Sequence, residues 1–197
     1  MTVPGTLCGI FVGGKATRMQ GLTKGLLPAP ETGEPLALRL SRLARELDLT
    51  PVLVGDSARY AEALPDLQVI GDRPQGIGPM GGLLGLLCAA EALGTRHVLA
   101  LSCDLPLLSR ALLERLVTHP SHASVLAPRS ASGQWEPLIA RYDALALRAP
   151  AEEAIRNGTR SFQRWFLDLT VEQLTLSEAE RVELADWDTP EDVQTKR

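Results

Sequence analysis

No stretch of this 197-residue chain is apolar for long enough to cross a bilayer. The longest such run, PMGGLLGLLCAAEAL (Pro79–Leu93), falls short of the roughly 18 residues a membrane helix needs, so no membrane partner is expected. The N-terminus lacks a basic segment followed by an apolar one, so no signal peptide is expected either. Positive charge is in deficit: the formal net charge of −4 offers no nucleic-acid footprint. Cysteine is confined to Cys8, Cys88 and Cys103, an odd number, each in apolar surroundings and at spacings that suit no zinc site. They read as buried free thiols in a reducing cytoplasm. No histidine is placed near Cys103 to activate it as a nucleophile. His97, His119 and His122 form no catalytic constellation and read as structural or surface residues.

What the chain does have is enough apolar content, 45%, to build a sizeable core in one domain. Apolar runs alternate with helical patterns. TLCGIFV (Thr6–Val12), PVLV (Pro51–Val54) and LQVI (Leu67–Ile70) read as strands, and HVLALSC (His97–Cys103) as a central strand covered on both faces. Leu36, Leu40, Leu43 and Leu47 mark one face of a helix that leaves Arg39, Arg42, Arg45 and Glu46 to solvent. Ser57 can cap a short helix carrying Tyr60 and Leu64. Met80–Leu93 is an almost uncharged, buried helix, and Ser109 opens another that buries Leu112, Leu113 and Leu116. After Ala123 the pattern loosens. SVLAP and PLIARY look like strands joined by the turn RSASGQWE, and DALALRAPAEEAIRNG is a helix expected to kink or split at Pro150. DTPED opens a last helix, with Thr189 as cap and Pro190 first.

Such alternation predicts an open, largely parallel α/β sheet, which binds ligands beyond the carboxyl ends of its strands. The residues just past each strand are therefore informative: Gly13, Gly14 and Lys15 after the first, Gly55 and Asp56 after the second, Gly71, Asp72 and Arg73 after the third, Asp104 after the central one. The segment FVGGKATRMQGLTKG (Phe11–Gly25) holds four glycines, three cations and no acid. Glycine lets backbone N–H groups approach phosphates, and Lys15, Arg18 and Lys24 can neutralise them. It is not a Walker loop, because neither lysine precedes Ser or Thr. The literal dinucleotide fingerprint Gly76–Gly81 is set aside, since GDRPQ separates it from its strand. Asp104 ends a buried strand, where a carboxylate needs a metal or a partner; it reads as a Mg²⁺ ligand or as a helix-capping residue before LPLLSR.

FVGGKATRMQGLTKGLL resembles the L-A-G-G-x-x-x-R-M-G-x-x-K signature of the molybdenum cofactor guanylyltransferase family of nucleotidyltransferases. IGDRPQGIGPMGGL is similar to that family's second motif, SCDLPLL to its metal-binding C-D-x-P-x-L, and DTPED to its closing N-T-P-E-D; all four stand in the family's order, across about residues 6–193. The resemblance implies a Rossmann-like three-layer α/β sandwich in a single domain over 1–197. Its nucleotide-binding half would cover about 1–120 and its acceptor-binding half about 121–197. It implies transfer of GMP from GTP to the terminal phosphate of molybdopterin, with Mg²⁺ as cofactor and pyrophosphate as product. Relatives that transfer CMP more often carry A-A-G, so Gly13-Gly14 favours guanine. A cytidylyltransferase, another small-molecule nucleotidyltransferase and a cofactor-delivery protein are the alternatives. The finished cofactor would pass to apo-enzymes.

On the matching positions, Phe11, Val12, Gly13 and Gly14 would meet base, ribose and phosphate, and Lys15, Arg18 and Lys24 the triphosphate. Asp72 would accept from guanine N–H groups, and Asp104 would hold the metal. Gly55 stands where the family often has Asn, so only its backbone remains for contact. Gln20, Thr23 and the Trp187-Asp188 pair also depart from the pattern; Asp186 and Asp188 are candidate extra metal ligands. Arg129, Gln134, Trp135, Glu136, Arg160 and Arg164 fall in the acceptor half, and Trp135, Trp165 and Trp187 either pack or stack on a pterin.

Overall fold

A strand that is apolar at consecutive positions needs cover on both faces. The computed structural model, which describes residues 6–12, 23–30, 32–55, 60 and 63–185, supplies it. Among the described residues seven strands form one sheet: β1 (Leu7–Phe11), β2 (Thr50–Val54), β3 (Val69–Ile70), β4 (His97–Ser102), β5 (Val125–Ala127), β6 (Ile139–Asp143) and β7 (Val171–Gln173). Their order is β3-β2-β1-β4-β6-β5-β7. Only β6 is reversed, antiparallel to β4 and β5, while the remaining pairs are parallel. The expected largely parallel α/β sheet is what forms.

Side chains alternate across the sheet with the period of two that strands impose. Cys8, Ile10, Leu99 and Leu101 join a core with α1 (Leu36–Arg45) and α3 (Arg110–Thr118). Leu7, Phe11, Val98 and Ala100 face the other way, toward α2 (Pro79–Ala92), α4 (Ala144–Arg156) and α5 (Phe162–Trp165). The result is three layers. Helix α2 keeps its place despite Gly81, Gly82 and Gly85, each worth about 1 kcal/mol of lost helix propensity. Leu83, Leu86 and Leu87 are fully buried, and each contributes roughly 1.5–3 kcal/mol. The glycines let the helix lie close to the sheet's ligand end: a Cβ at Gly85 would sit 2.3 Å from the Gly71 carbonyl oxygen.

Several local readings hold. Ser109 caps α3 by accepting from Leu112 N–H, and Tyr60 and Leu64 are buried, joined by a Leu64 N–H to Tyr60 carbonyl bond. Ser57 and the DTPED segment lie outside the described residues. Others need correction. Arg39 is not on a solvent face; it is buried and its Nη2 donates to the Leu108 carbonyl at 2.9 Å, because the segment entering α3 covers that side of α1. Helix α4 is not split: it runs through Pro150 as one element. Pro150 and Ala146, whose carbonyl would have accepted the missing N–H, are both exposed, and Ala144, Leu147, Ala151 and Ile155 anchor the other side. The third strand is shorter than read, and α5, β7 and α6 (Glu178–Glu183) went unread. The Ser177/Glu180 capping box was the available signal for α6.

Candidate active site

Four adjacent parallel strands end side by side. Phe11 pairs with Val54 on one side and Ser102 on the other, and Val54 pairs with Ile70. The chain leaves three of them still hydrogen-bonded to a neighbour: Val12 N–H to Val54 carbonyl, Gly55 N–H to Ile70 carbonyl, Cys103 N–H to Phe11 carbonyl. The residues proposed from sequence, Phe11, Val12, Gly55, Asp72 and Asp104, thus share one edge. Gly55 has φ +106°, a conformation that excludes most side chains. Asp72 is half-buried against α2, its Oδ1 3.2 Å from where a Cβ on Gly82 would stand. Gly13, Gly14, Lys15, Arg18, Asp186, Trp187 and Asp188 lie outside the described residues.

Lys24 opens a short 3₁₀ turn over Lys24–Leu26, and this turn brings it to the same edge. Its Nζ lies 2.8 Å from Asp104 Oδ2. The other carboxylate oxygen, Oδ1, accepts a hydrogen bond from the Ser102 hydroxyl. Asp104 is therefore held by a cation and a hydroxyl. Neither is the helix-cap role, and the cap of α3 is Ser109. Behind the pair, Tyr60 is buried, its hydroxyl accepting from Gly25 N–H at 3.2 Å, and it shares a buried cluster with Cys103. Burial first, then the Asp104 charge, pushes the Cys103 thiol up to about 12. It stays protonated at neutral pH and is no nucleophile. Cys8 is also pushed up to about 12 by burial, and all three cysteines are free. Sequence reading missed Ser102 and the hydroxyl of Tyr60; Ser102 was marked only by its place beside Cys103-Asp104.

The second half reaches the same edge. Because β6 is reversed, the loop from β5 to β6 emerges beside Asp104, and Ser102 N–H donates to the Leu138 carbonyl. Within that loop the Arg129 guanidinium lies over the Trp135 ring, 3.7 Å from its centroid. Gln163 clamps the Trp135 backbone by both its N–H and its carbonyl. Gln134, Arg160 and Arg164 are exposed, and Glu136 is half-buried. Trp165 is packed, 2% exposed, among Phe162 and Phe166, so it offers no stacking face.

The histidines sit elsewhere. His97 begins β4, the length of the strand away from Asp104, and burial followed by the Arg141 charge lowers its pKa. His119 contacts Glu172 at 3.2 Å, and His122 is exposed. A cleft of about 280 Å³ lies at that far end, lined in part by Thr6, His97, His119 and Arg141. Arg141 is engaged there with the carbonyls of Leu116, Val117 and His119, closing the end of α3. None of the nucleotide- or metal-site residues expected from sequence lines that cleft.

Fold and site together define an open-sheet α/β protein whose ligand edge pairs a lysine with an aspartate. The chain belongs to the MobA-like NTP transferase family, whose domain matches residues 8–172. It is 33% identical over 195 residues to a probable molybdenum cofactor guanylyltransferase of Opitutus terrae, covering 97% of this chain and 95% of that one. It is 37% identical to the molybdenum cofactor guanylyltransferase of Pseudomonas fluorescens, covering 94% and 90%. Its fold is similar to that of molybdopterin-guanine dinucleotide biosynthesis protein A from Archaeoglobus fulgidus, with a TM-score of 0.76 at 21% identity over 97% and 96% of the two chains.

Proposed function

We propose that this chain transfers GMP from GTP to the terminal phosphate of molybdopterin, molybdenum-bound or not, and releases pyrophosphate. The observation that carries the reading is the Lys24–Asp104 pair at the strand ends, in a chain whose relatives bear that activity in their names. An oxygen of the molybdopterin phosphate attacks the α-phosphorus of GTP, a new P–O bond forms, and the bond to pyrophosphate breaks. The attacking phosphate is already ionised, so no side chain need take a proton; positioning and charge neutralisation suffice.

Phe11 and Val12 present backbone to base and ribose, and Asp72 accepts from guanine N–H groups. Gly13, Gly14, Lys15 and Arg18 take the triphosphate by the sequence pattern, and Gly55 lines the site through its backbone. Lys24 transfers its ammonium from Asp104 to the phosphates and neutralises the charge that builds on the leaving group. Asp104 fits a divalent ion: it is a hard carboxylate, held at one oxygen by Ser102 and already facing a cation at the other. Mg²⁺ needs only one or two carboxylates beside substrate oxygens, and when bound there it offsets phosphate charge. Arg129 and Trp135 stand where the acceptor enters. The reading places the activity in the cytoplasm, with a transient hand-off to cofactor-accepting apo-enzymes; among the described residues no helix is long and apolar enough to cross a membrane.

The test is pyrophosphate release from purified protein with Mg²⁺ and molybdopterin, comparing GTP, CTP and ATP. Turnover with GTP alone, lost in Asp104→Ala, is expected. Turnover with CTP alone would move the assignment to cytidylyl transfer. Tight GTP binding without turnover would point to delivery or a different acceptor.

A further inference from the structure

The Lys24–Asp104 contact is backed by a buried phenol. The residue after Lys24 is Gly25, whose N–H donates to Tyr60 Oη at 3.2 Å. The residue before Asp104 is Cys103, which belongs to the same buried cluster as Tyr60. One phenol therefore ties the turn that carries the lysine into the core that also takes in the strand end before the aspartate. The 2.8 Å ion pair joins turn and strand end directly.

The surroundings make that hydroxyl a fixed point. Tyr60 is 2% exposed and belongs to the core shared by α1 and α3. Gly25 is buried and lies so close that a Cβ on it would come within 2.9 Å of both Tyr60 Cε1 and Tyr60 Oη, and 3.3 Å of the Ala37 Cβ. A buried N–H left without its acceptor is costly, so the turn cannot move off Tyr60 without penalty. Neither Gly25 nor Cys103 has a side chain suited to chemistry on a nucleotide, yet both flank residues that do.

We propose that Tyr60 is a positioning residue of the transfer reaction, its hydroxyl fixing the Lys24 turn against the Asp104 strand end so that ammonium and carboxylate meet the phosphates in one geometry. The proposal rests on the guanylyl-transfer reading. Tyr60 acts through Gly25 and does not itself touch substrate.

The experiment uses the full chain and Tyr60→Phe, which keeps the ring and removes the hydroxyl. Pyrophosphate release is measured with GTP, Mg²⁺ and molybdopterin. In parallel, acylation of Lys24 by an N-hydroxysuccinimide ester is followed by peptide mass spectrometry without nucleotide, relative to Lys196. Tyr60→Phe should lower kcat about five- to tenfold with little change in KM for GTP, and Lys24 should acylate at least about threefold faster. In a Lys24→Met background the same substitution should cost less than about twofold, because the residue it positions is gone. A purely structural role would lower the melting temperature and leave the labelling ratio and the kcat–KM split alone. Unchanged labelling, or an equal loss in both backgrounds, overturns the proposal. Should Tyr60→Phe fail to fold, Gly25→Ala, whose Cβ would meet the Tyr60 hydroxyl at 2.9 Å, displaces the turn from it and should shift labelling the same way. Wild-type protein that releases no pyrophosphate overturns the transfer reading, and the labelling, read without nucleotide, still decides the tie.

Discussion

Lys24 and Asp104 differ in exposure, and that difference sets what each substitution should do. Their charged atoms lie 2.8 Å apart with side-chain exposures of 23% and 12%. At an effective dielectric near 20 the attraction is about 6 kcal/mol. Lost hydration offsets most of it, leaving about 1.5–3 kcal/mol for a charged hydrogen bond. Lys24→Met strands the more buried partner, the carboxylate, and should destabilise by about 2–3 kcal/mol. Asp104→Asn strands the more exposed ammonium and should cost about 1 kcal/mol. The double variant strands neither charge, so it should be about 1–2 kcal/mol more stable than the sum of the singles implies. Turnover should not follow. Each single variant should lose at least about a hundredfold in pyrophosphate release, and the double should recover none of it, since both groups act on the substrate. Urea denaturation of the four proteins gives the coupling, and the release assay gives the rates. A coupling below about 0.5 kcal/mol would refute the resting ion pair. Recovered turnover in the double variant would refute a direct role for either residue.

Gly85→Ala separates helix propensity from close packing. Propensity alone predicts a gain of about 1 kcal/mol, whereas a Cβ 2.3 Å from the Gly71 carbonyl forces the backbone beside Asp72 to move, so a net loss of about 1–2 kcal/mol is expected in urea denaturation, with weaker GTP binding by calorimetry. A more stable variant would sink the packing argument. Glu180 predicts a pH dependence: the Arg115 guanidinium, then the Ser177 backbone, holds its carboxyl at about 2, against an ordinary 4.5. The stabilisation is present above 4.5 and lost as pH falls toward 2. With Arg115 43% exposed it amounts to about 1 kcal/mol. The melting-temperature gap between wild type and Glu180→Gln should close across that window, and a gap independent of pH would contradict the ion pair.

The strands of the first half were legible because burial on both faces writes itself as unbroken apolar runs, as in Leu7–Phe11 and His97–Ser102. The second half was less legible for the opposite reason. β7 is three half-buried or exposed residues paired on one side only, to β5, and a segment that short carries no period to read. Arg39 misled because helical spacing predicts which residues share a face, not which further element will cover the neighbouring one; Leu108, sixty-nine positions away, supplies that cover. A break at Pro150 did not follow, because the apolar face opposite the proline anchors the helix.

The site shows the same limit at shorter range. In sequence Asp104 stands out as a lone carboxylate after an apolar run and Lys24 as the last cation of a glycine-rich loop, and they prove to be each other's partners. That Tyr60 holds the turn carrying Lys24 was invisible, since a tyrosine on an apolar face reads as core, and core it is; only the position of its hydroxyl gives it a second role. The reversed strand β6 was likewise hidden, yet it governs how one edge serves two substrates. β5 is antiparallel to β6 and so runs with β4, which puts the loop bearing Arg129 and Trp135 beside Asp104 rather than at the far end. Had β6 instead run with β4 and kept its hairpin to β5, that loop would have lain at the opposite edge, and the acceptor side of the site would have had to come from elsewhere in the chain.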